Sequence, residues 1–359
     1  NLASGGALSV SAVATVVGSA GSDDVITQLQ ADATLAVSAV ETVVGAGGTA
    51  DTVQMLEAGA LSVSDVDTVV GTTDSGEVVT LLVEGTLAVS RVDSVIGSDG
   101  TGDTVQWLAA GALAVSAVET LLGSTGTDVA TLLDATAVTV DGIETVIGST
   151  DLGSSVTLGS EGSLAVQDVA TATGSSGTAD VLRLLAAGNV TVSDFETVLG
   201  TTGTEDAITL AAEGIVSVSA IDTVIGSDGS ADEVRMLVAG AIALSGVETL
   251  VGSTATTDSV TLLSSGALAV SRVETVIGTG DEADVVTMLT TGTLATSAVA
   301  TVIGTTGTDA VRMLAAGALS VSDVESVRGT AGTDDVVTQL SEDTTLHIID
   351  VASAVGTSA

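Results

Sequence analysis

One block, Glu/Asp-Thr-Val-Val/Ile-Gly, recurs along the whole 359-residue chain and constrains it more than any other feature. Its glycines are Gly18, Gly45, Gly71, Gly97, Gly123, Gly148, Gly174, Gly200, Gly226, Gly252, Gly278, Gly304, Gly329 and Gly356, a spacing of 26 residues with an occasional 25 or 27. Self-similarity at such a period signals a solenoid or array, in which each unit buries its apolar face only against its neighbours. The expected organisation is therefore a single repeat array over residues 1–359, with no separate domains.

The composite unit reads L-A-V-S-x-V-E-T-V-I-G-S-x-G-T-D-x-V-x-x-L-x-A-G. Short Thr/Val-rich segments bounded by glycine, such as Val190–Val192 and Val156–Leu158, carry the strand signature. Three such segments per unit predict an all-β fold, a right-handed parallel β-solenoid of about 14 coils, with equivalent residues stacked at about 4.8 Å. The absence of proline agrees, since stacked strands need every backbone N–H. A competing pattern is present. Ser38-Ala39-Val40-Glu41 and Ser64-Asp65-Val66-Asp67 match the capping box and its variant, and a glycine follows each. A mixed strand–helix solenoid, resembling a leucine-rich repeat, is the alternative architecture.

Composition narrows the function. Forty-six acidic residues face six Lys+Arg, for a net charge of −40. Six scattered cations cannot displace phosphate counterions, which argues against nucleic acid and against anionic membrane surfaces. Acidic or glycine-rich breaks interrupt every apolar stretch before the roughly 20 residues a membrane helix needs, so no membrane insertion is expected. No Cys is present, so there are no disulfides and no thiolate metal sites. The chain begins at Asn1 rather than Met, which reads as a processed product or a piece of a longer chain, and no signal peptide is visible.

The segments Gly123–Thr131 (GSTGTDVAT) and Gly329–Val337 (GTAGTDDVV) resemble the glycine–aspartate nonapeptide of RTX (repeats-in-toxin) proteins, with Gly123, Gly126 and Asp128 at the matching positions. Ser124 or Thr330 stands where that family has its second glycine, and only one such segment occurs per unit instead of a tandem run. The phrase Leu244–Thr254 resembles the repetitive regions of large bacterial secreted or cell-surface proteins. The resemblance implies an extracellular bacterial protein of parallel β coils that binds calcium. Stacked turns would set Asp51, Asp103, Asp128, Asp180, Asp206, Asp232, Asp258, Asp284, Asp309 and Asp335 along one edge as a calcium ladder. The other reading of these aspartates is ordinary turn chemistry, each hydrogen-bonding nearby backbone.

A second acidic row runs through Glu41, Asp67, Asp93, Glu119, Glu144, Glu196, Asp222, Glu248, Glu274 and Glu325. Repeated ten times without a distinctive member, it reads as a solvated charged face rather than a catalytic pair. Beside it, Thr or Ser recurs in all fourteen units, from Thr15 to Ser353; such a row can hydrogen-bond along a stack, and an ice-binding face is the alternative reading, although only one row is evident. The valine that follows (Val16, Val43, Val69) faces outward under strict alternation from Val40, as an apolar self-association stripe, or inward if a corner falls at Glu41–Thr42. His347 stands alone, the arginines are dispersed, and Trp107 is expected in the core. No nucleophile–base set stands out, so no enzyme is expected.

The expected function is an extracellular structural rod on the order of 70 Å long, a filament, lattice or adhesin stalk, stabilised by calcium if the ladder binds it. A calcium-binding or ice-binding module is the alternative. Self-association end to end is the expected partnership, because open solenoid ends expose unpaired backbone groups. The near-copy of Ser22–Leu35 at Thr333–Leu346 adds a longer superrepeat consistent with continued stacking.

Overall fold

The computed structural model describes residues 1–2, 4–19, 23–149, 153–203, 205–330, 332–342 and 345–356. Ser22 and residues 343 and 344 of the two near-copies lie outside that set. Among the described residues every regular element is a strand, from β1 (Ala7–Val10) to β41 (Ser353–Val355). Two compact units, Asn1–Asp180 with β1–β20 and Val181–Ala359 with β21–β41, are each built the same way. Within each unit the odd-numbered strands form one parallel sheet (sheet A) and the even-numbered strands a second (sheet B). Within each unit the chain winds from one sheet to the other and back, as a parallel β-solenoid.

Within each unit a strand pairs with the next but one, so a coil holds two strands rather than the three expected. Thr34 of β4 (Thr34–Ser38) aligns with Thr52 of β6 (Thr52–Met55), Thr52 with Thr68 of β8 (Thr68–Val70), and Thr68 with Ala88 of β10 (Thr86–Ser90). These steps of 18, 16 and 20 residues carry three strand types in rotation down each sheet. Three strands per unit at two per coil make the 26-residue repeat one and a half coils long. Equivalent residues of successive units therefore fall on opposite sheets, and the 14-coil expectation gives way to ten coils in the first unit alone. The core fits this width: small aliphatic side chains, with Trp107 and Phe195 as aromatics among them, fill a two-layer sandwich about 10 Å thick.

Alternation along the strands sets that core. In the five-residue type the second and fourth residues point inward (Leu35, Val37), in the four-residue type the second and fourth (Val53, Met55), and in the three-residue type the middle one (Val43). Val43 is fully buried, as are Val69, Val95, Val146 and Val224, so the valine row faces inward and forms no surface stripe. Trp107 takes the inward position that Met55 and Leu81 hold elsewhere.

The corner after the five-residue strand explains the inward valine. Ala39, Asp65, Arg91 and Ala117 adopt φ between 49° and 55°, the left-handed region, which reverses the chain within three residues. The Ser-x-x-Glu pattern is thus a tight corner and not a helix cap. The carbonyl of this left-handed residue presses against the repeat glycine of the preceding coil. A Cβ on Gly18 would lie 1.6 Å from the Ala39 oxygen, and one on Gly97 1.7 Å from the Ala117 oxygen. The invariant glycine is required by that backbone approach.

Candidate functional site: the buried aspartate corner

The longest corner follows the three-residue strand and contains Gly-Ser-x-Gly-Thr-Asp. All ten predicted aspartates sit at its end, immediately before a four-residue strand, and all ten side chains are buried with 0% exposure. They do not share one edge. Asp128, Asp180, Asp232, Asp284 and Asp335 lead into sheet A, whereas Asp51, Asp103, Asp206, Asp258 and Asp309 lead into sheet B. Within a unit, same-edge neighbours such as Asp51 and Asp103, or Asp232 and Asp284, are three coils apart, about 14 Å along the stack, because one repeat winds one and a half coils.

Asp258 shows the corner complete. Its Oδ2 accepts hydrogen bonds from the Ser253 N–H at 2.6 Å and the Ser253 hydroxyl at 2.8 Å. Its Oδ1 accepts from the Gly240 N–H of the preceding coil at 3.1 Å. Its own N–H donates to Glu274 Oε2 of the following coil at 2.7 Å, and its carbonyl accepts from the N–H groups of Glu274 and Thr275. One residue thereby ties three consecutive coils. The Ser253 oxygen also accepts from the Ala255 N–H, closing the turn.

The same set recurs at Asp103, with the Ser98 N–H at 2.6 Å, the Gly85 N–H at 3.0 Å and Glu119 at 2.9 Å. At Asp309 the partners are the Thr305 N–H, the Gly292 N–H and Glu325, at 2.5, 2.9 and 2.6 Å. Asp51 and Asp128 follow the pattern through the N–H groups of Ala46 and Ser124, and Asp180 through those of Ser175 and Gly162. At Asp206, Asp232, Asp284 and Asp335 the Oδ2 bonds are kept, while Oδ1 has no partner within hydrogen-bonding limits.

The second acidic row is part of this construction. Glu41, Asp67, Glu119, Glu144, Asp222, Glu248, Glu274 and Glu325 each accept the N–H of the buried acid one coil earlier. It is a set of backbone acceptors rather than a merely solvated face. Three corner residues lie outside the sequence expectation: Asp24, Glu77 and Ser154, all buried at the same position. Each is the sixth residue after a repeat glycine, and that offset is the signal that would have found them. Glu77 accepts from the Thr72 N–H at 3.1 Å, and Ser154 from the Ser149 N–H at 3.0 Å.

Ionisation follows from these donors. The Ser19 amide holds Asp24 below the usual carboxylate range against the opposing effect of burial. At Asp335 burial pushes the pKa up, but the Thr330 amide and hydroxyl outweigh it, with help from the Gly317 amide, whose N–H acts although it lies beyond hydrogen-bonding limits of Oδ1. The Gly76 amide, together with Glu77, lowers Asp93. At these three residues the backbone and hydroxyl donors thus outweigh the cost of burial.

Calcium, implied by the RTX resemblance, does not fit this donor set. Ca²⁺ takes six to eight oxygens, whereas the buried carboxylate of each corner and the acid that accepts its N–H are already aimed at N–H groups. Among the described residues no three His, Cys, Asp or Glu converge on a position that could hold a metal ion. Ser124 and Thr330, where RTX has glycine, donate to Asp128 and Asp335 through N–H and, at Thr330, also through the hydroxyl. His347 is exposed on β40 (His347–Ile349). Shallow grooves recur at one repeat position, between Ser38–Glu41 and Glu57–Ala60 in the first unit and between Gly246–Glu248 and Ser264–Gly266 in the second.

Comparisons with protein-family models, with curated proteins and with solved structures return no match. The chain's demonstrated character is that of a repeat protein whose units fold as parallel β-solenoid coils.

Proposed function

We propose that this chain is a non-enzymatic structural protein of the bacterial cell exterior, whose coils serve as a repeating spacer and continue into one another by end-to-end stacking. The observation that carries this reading is the recurrence of the corners: a buried acid with its hydroxyl partner and its acceptor one coil on repeats, as at Asp103, Asp258 and Asp309, and among the described residues no corner carries a constellation set apart for chemistry. The absence of cysteine and the acidic composition support an extracellular setting, as does the resemblance to RTX-like repeat regions.

Negative-stain microscopy and sedimentation of the full chain test the assembly. Fibres or a mass that grows without limit with concentration are expected, and a monodisperse monomer at high concentration would overturn it. Thermal melting tests the place of calcium. A midpoint unchanged by EDTA, and raised equally by calcium and by sodium at matched ionic strength, is expected of corners held by their own amides. A calcium-specific rise would assign the corners to the cation instead.

A further inference from the structure

Charge in this molecule is segregated by position on the coil. Of its 46 acidic residues only Asp141 and Glu233 belong to strands, and the rest of the described ones lie in corners. The first unit shows the consequence most sharply. The outward residues of its sheet A are Ser, Thr, Ala, Val, Ile and Gln alone, for example Val25 and Thr27 on β3 (Val25–Gln28), Thr42 and Val44 on β5 (Thr42–Val44), Thr80 on β9 (Val78–Leu81), Ile96 on β11 (Ser94–Ile96) and Thr131 on β15 (Val129–Leu132). Sheet B of the same unit carries Asp141, at the exposed end of β16 (Ala137–Asp141). Sheet A is therefore an uncharged face on a chain of net charge −40.

We propose that sheet A of the first unit is a docking surface for the same surface of a second copy, the two packing face to face about a two-fold axis. Three observations select this occupant. The face exposes methyl and hydroxyl groups without charge, including Ile96 at 37% exposure, so it can be desolvated at little electrostatic cost. Its ten strands, each about four residues long, cover roughly 600 Å² per copy, or about 1,200 Å² in total, which clears the roughly 1,000 Å² a specific interface needs. Pairing two such faces at about 10 Å keeps the acidic corners of both copies at the rim, where they remain hydrated and screened by salt. The pairing closes at two copies, unlike end-to-end stacking, and does not depend on it.

The experiment compares the full chain with two double variants by sedimentation at several concentrations, in low and high sodium chloride. Thr42→Glu with Thr131→Glu places carboxylates five strands apart on the sheet A face. Gln106→Glu with Thr157→Glu places them on sheet B of the same unit. Face pairing of the wild type, on top of any end-to-end growth, is expected to tighten with salt, to weaken at least tenfold in the sheet A variant, and to stay unchanged in the sheet B variant. Mixing the sheet A glutamate variant with a Thr42→Lys, Thr131→Lys variant is expected to restore a mixed dimer, which also shows that the variants fold. A dimer equally weakened by both glutamate pairs, no rescue on mixing, or a wild type monomeric in high salt would overturn the proposal. Open-ended growth that the sheet A substitutions leave untouched would uphold end-to-end stacking and refute face pairing.

Discussion

A buried carboxylate must be stabilised by donors, and the corner aspartates recruit backbone amides from two coils at once. Removing one exposes the cost. Asp258→Ala leaves the Ser253 and Gly240 amides without their acceptor, and buried unsatisfied donors cost about 1–3 kcal/mol each. Chemical denaturation is expected to show a loss of about 2–5 kcal/mol, whereas Glu57→Ala, on an exposed turn, stays within about 0.5 kcal/mol of wild type. The lowered pKa values of Asp24, Asp93 and Asp335 fix the pH response. Depressed in the folded state, these groups contribute stability that is fully present above the unfolded carboxylate pKa of about 3.9 and lost as pH falls through the folded values. The melting temperature is expected to be level from neutral pH to about 5 and to fall below about 4; a midpoint that rises on acidification would contradict the assignment. The acid was legible in the sequence as a turn residue, but its burial was not, since Asp in a glycine-rich loop ordinarily stays hydrated.

At the scale of the strand, alternation decides which of two identical neighbours matters. β14 (Thr120–Leu122) presents Leu121 inward with no exposed surface and Leu122 outward. Leu121→Ala is expected to cost about 2–5 kcal/mol, and Leu122→Ala less than about 1 kcal/mol, read from denaturant midpoints. Equal costs would mean that this strand's register is wrong. The strand segments themselves were legible from Thr/Val enrichment between glycines. Their facing was not, because the sequence left open whether a corner fell between Val40 and Val43. The left-handed Ala39, with its carbonyl set against Gly18, places the corner there and turns the valine inward. No local propensity marks alanine for that conformation. The contact between coils imposes it.

For the whole molecule, the ratio of repeat to coil governs what changes the fold tolerates. Deleting Thr72–Gly97 removes one repeat and three strands, so the rotation of strand types down each sheet is kept while every later residue moves to the opposite sheet. Deleting Thr80–Gly97 removes about one coil and sets unlike strand types and mismatched corners against each other. The first deletion is expected to melt cooperatively near the wild-type temperature with an unchanged β spectrum, and the second to melt well below it. Sequence alone determined the period, the three strands per period, the apolar alternation and the glycine–aspartate corners, since each is a local pattern read within one unit. The number of strands that close a coil, the side of the solenoid on which each unit falls and the burial of the aspartates were decided by tertiary structure. The pattern says where the chain turns but not how far, and the angle is set by two sheets of small side chains packing on each other and by amides from neighbouring coils converging on each carboxylate.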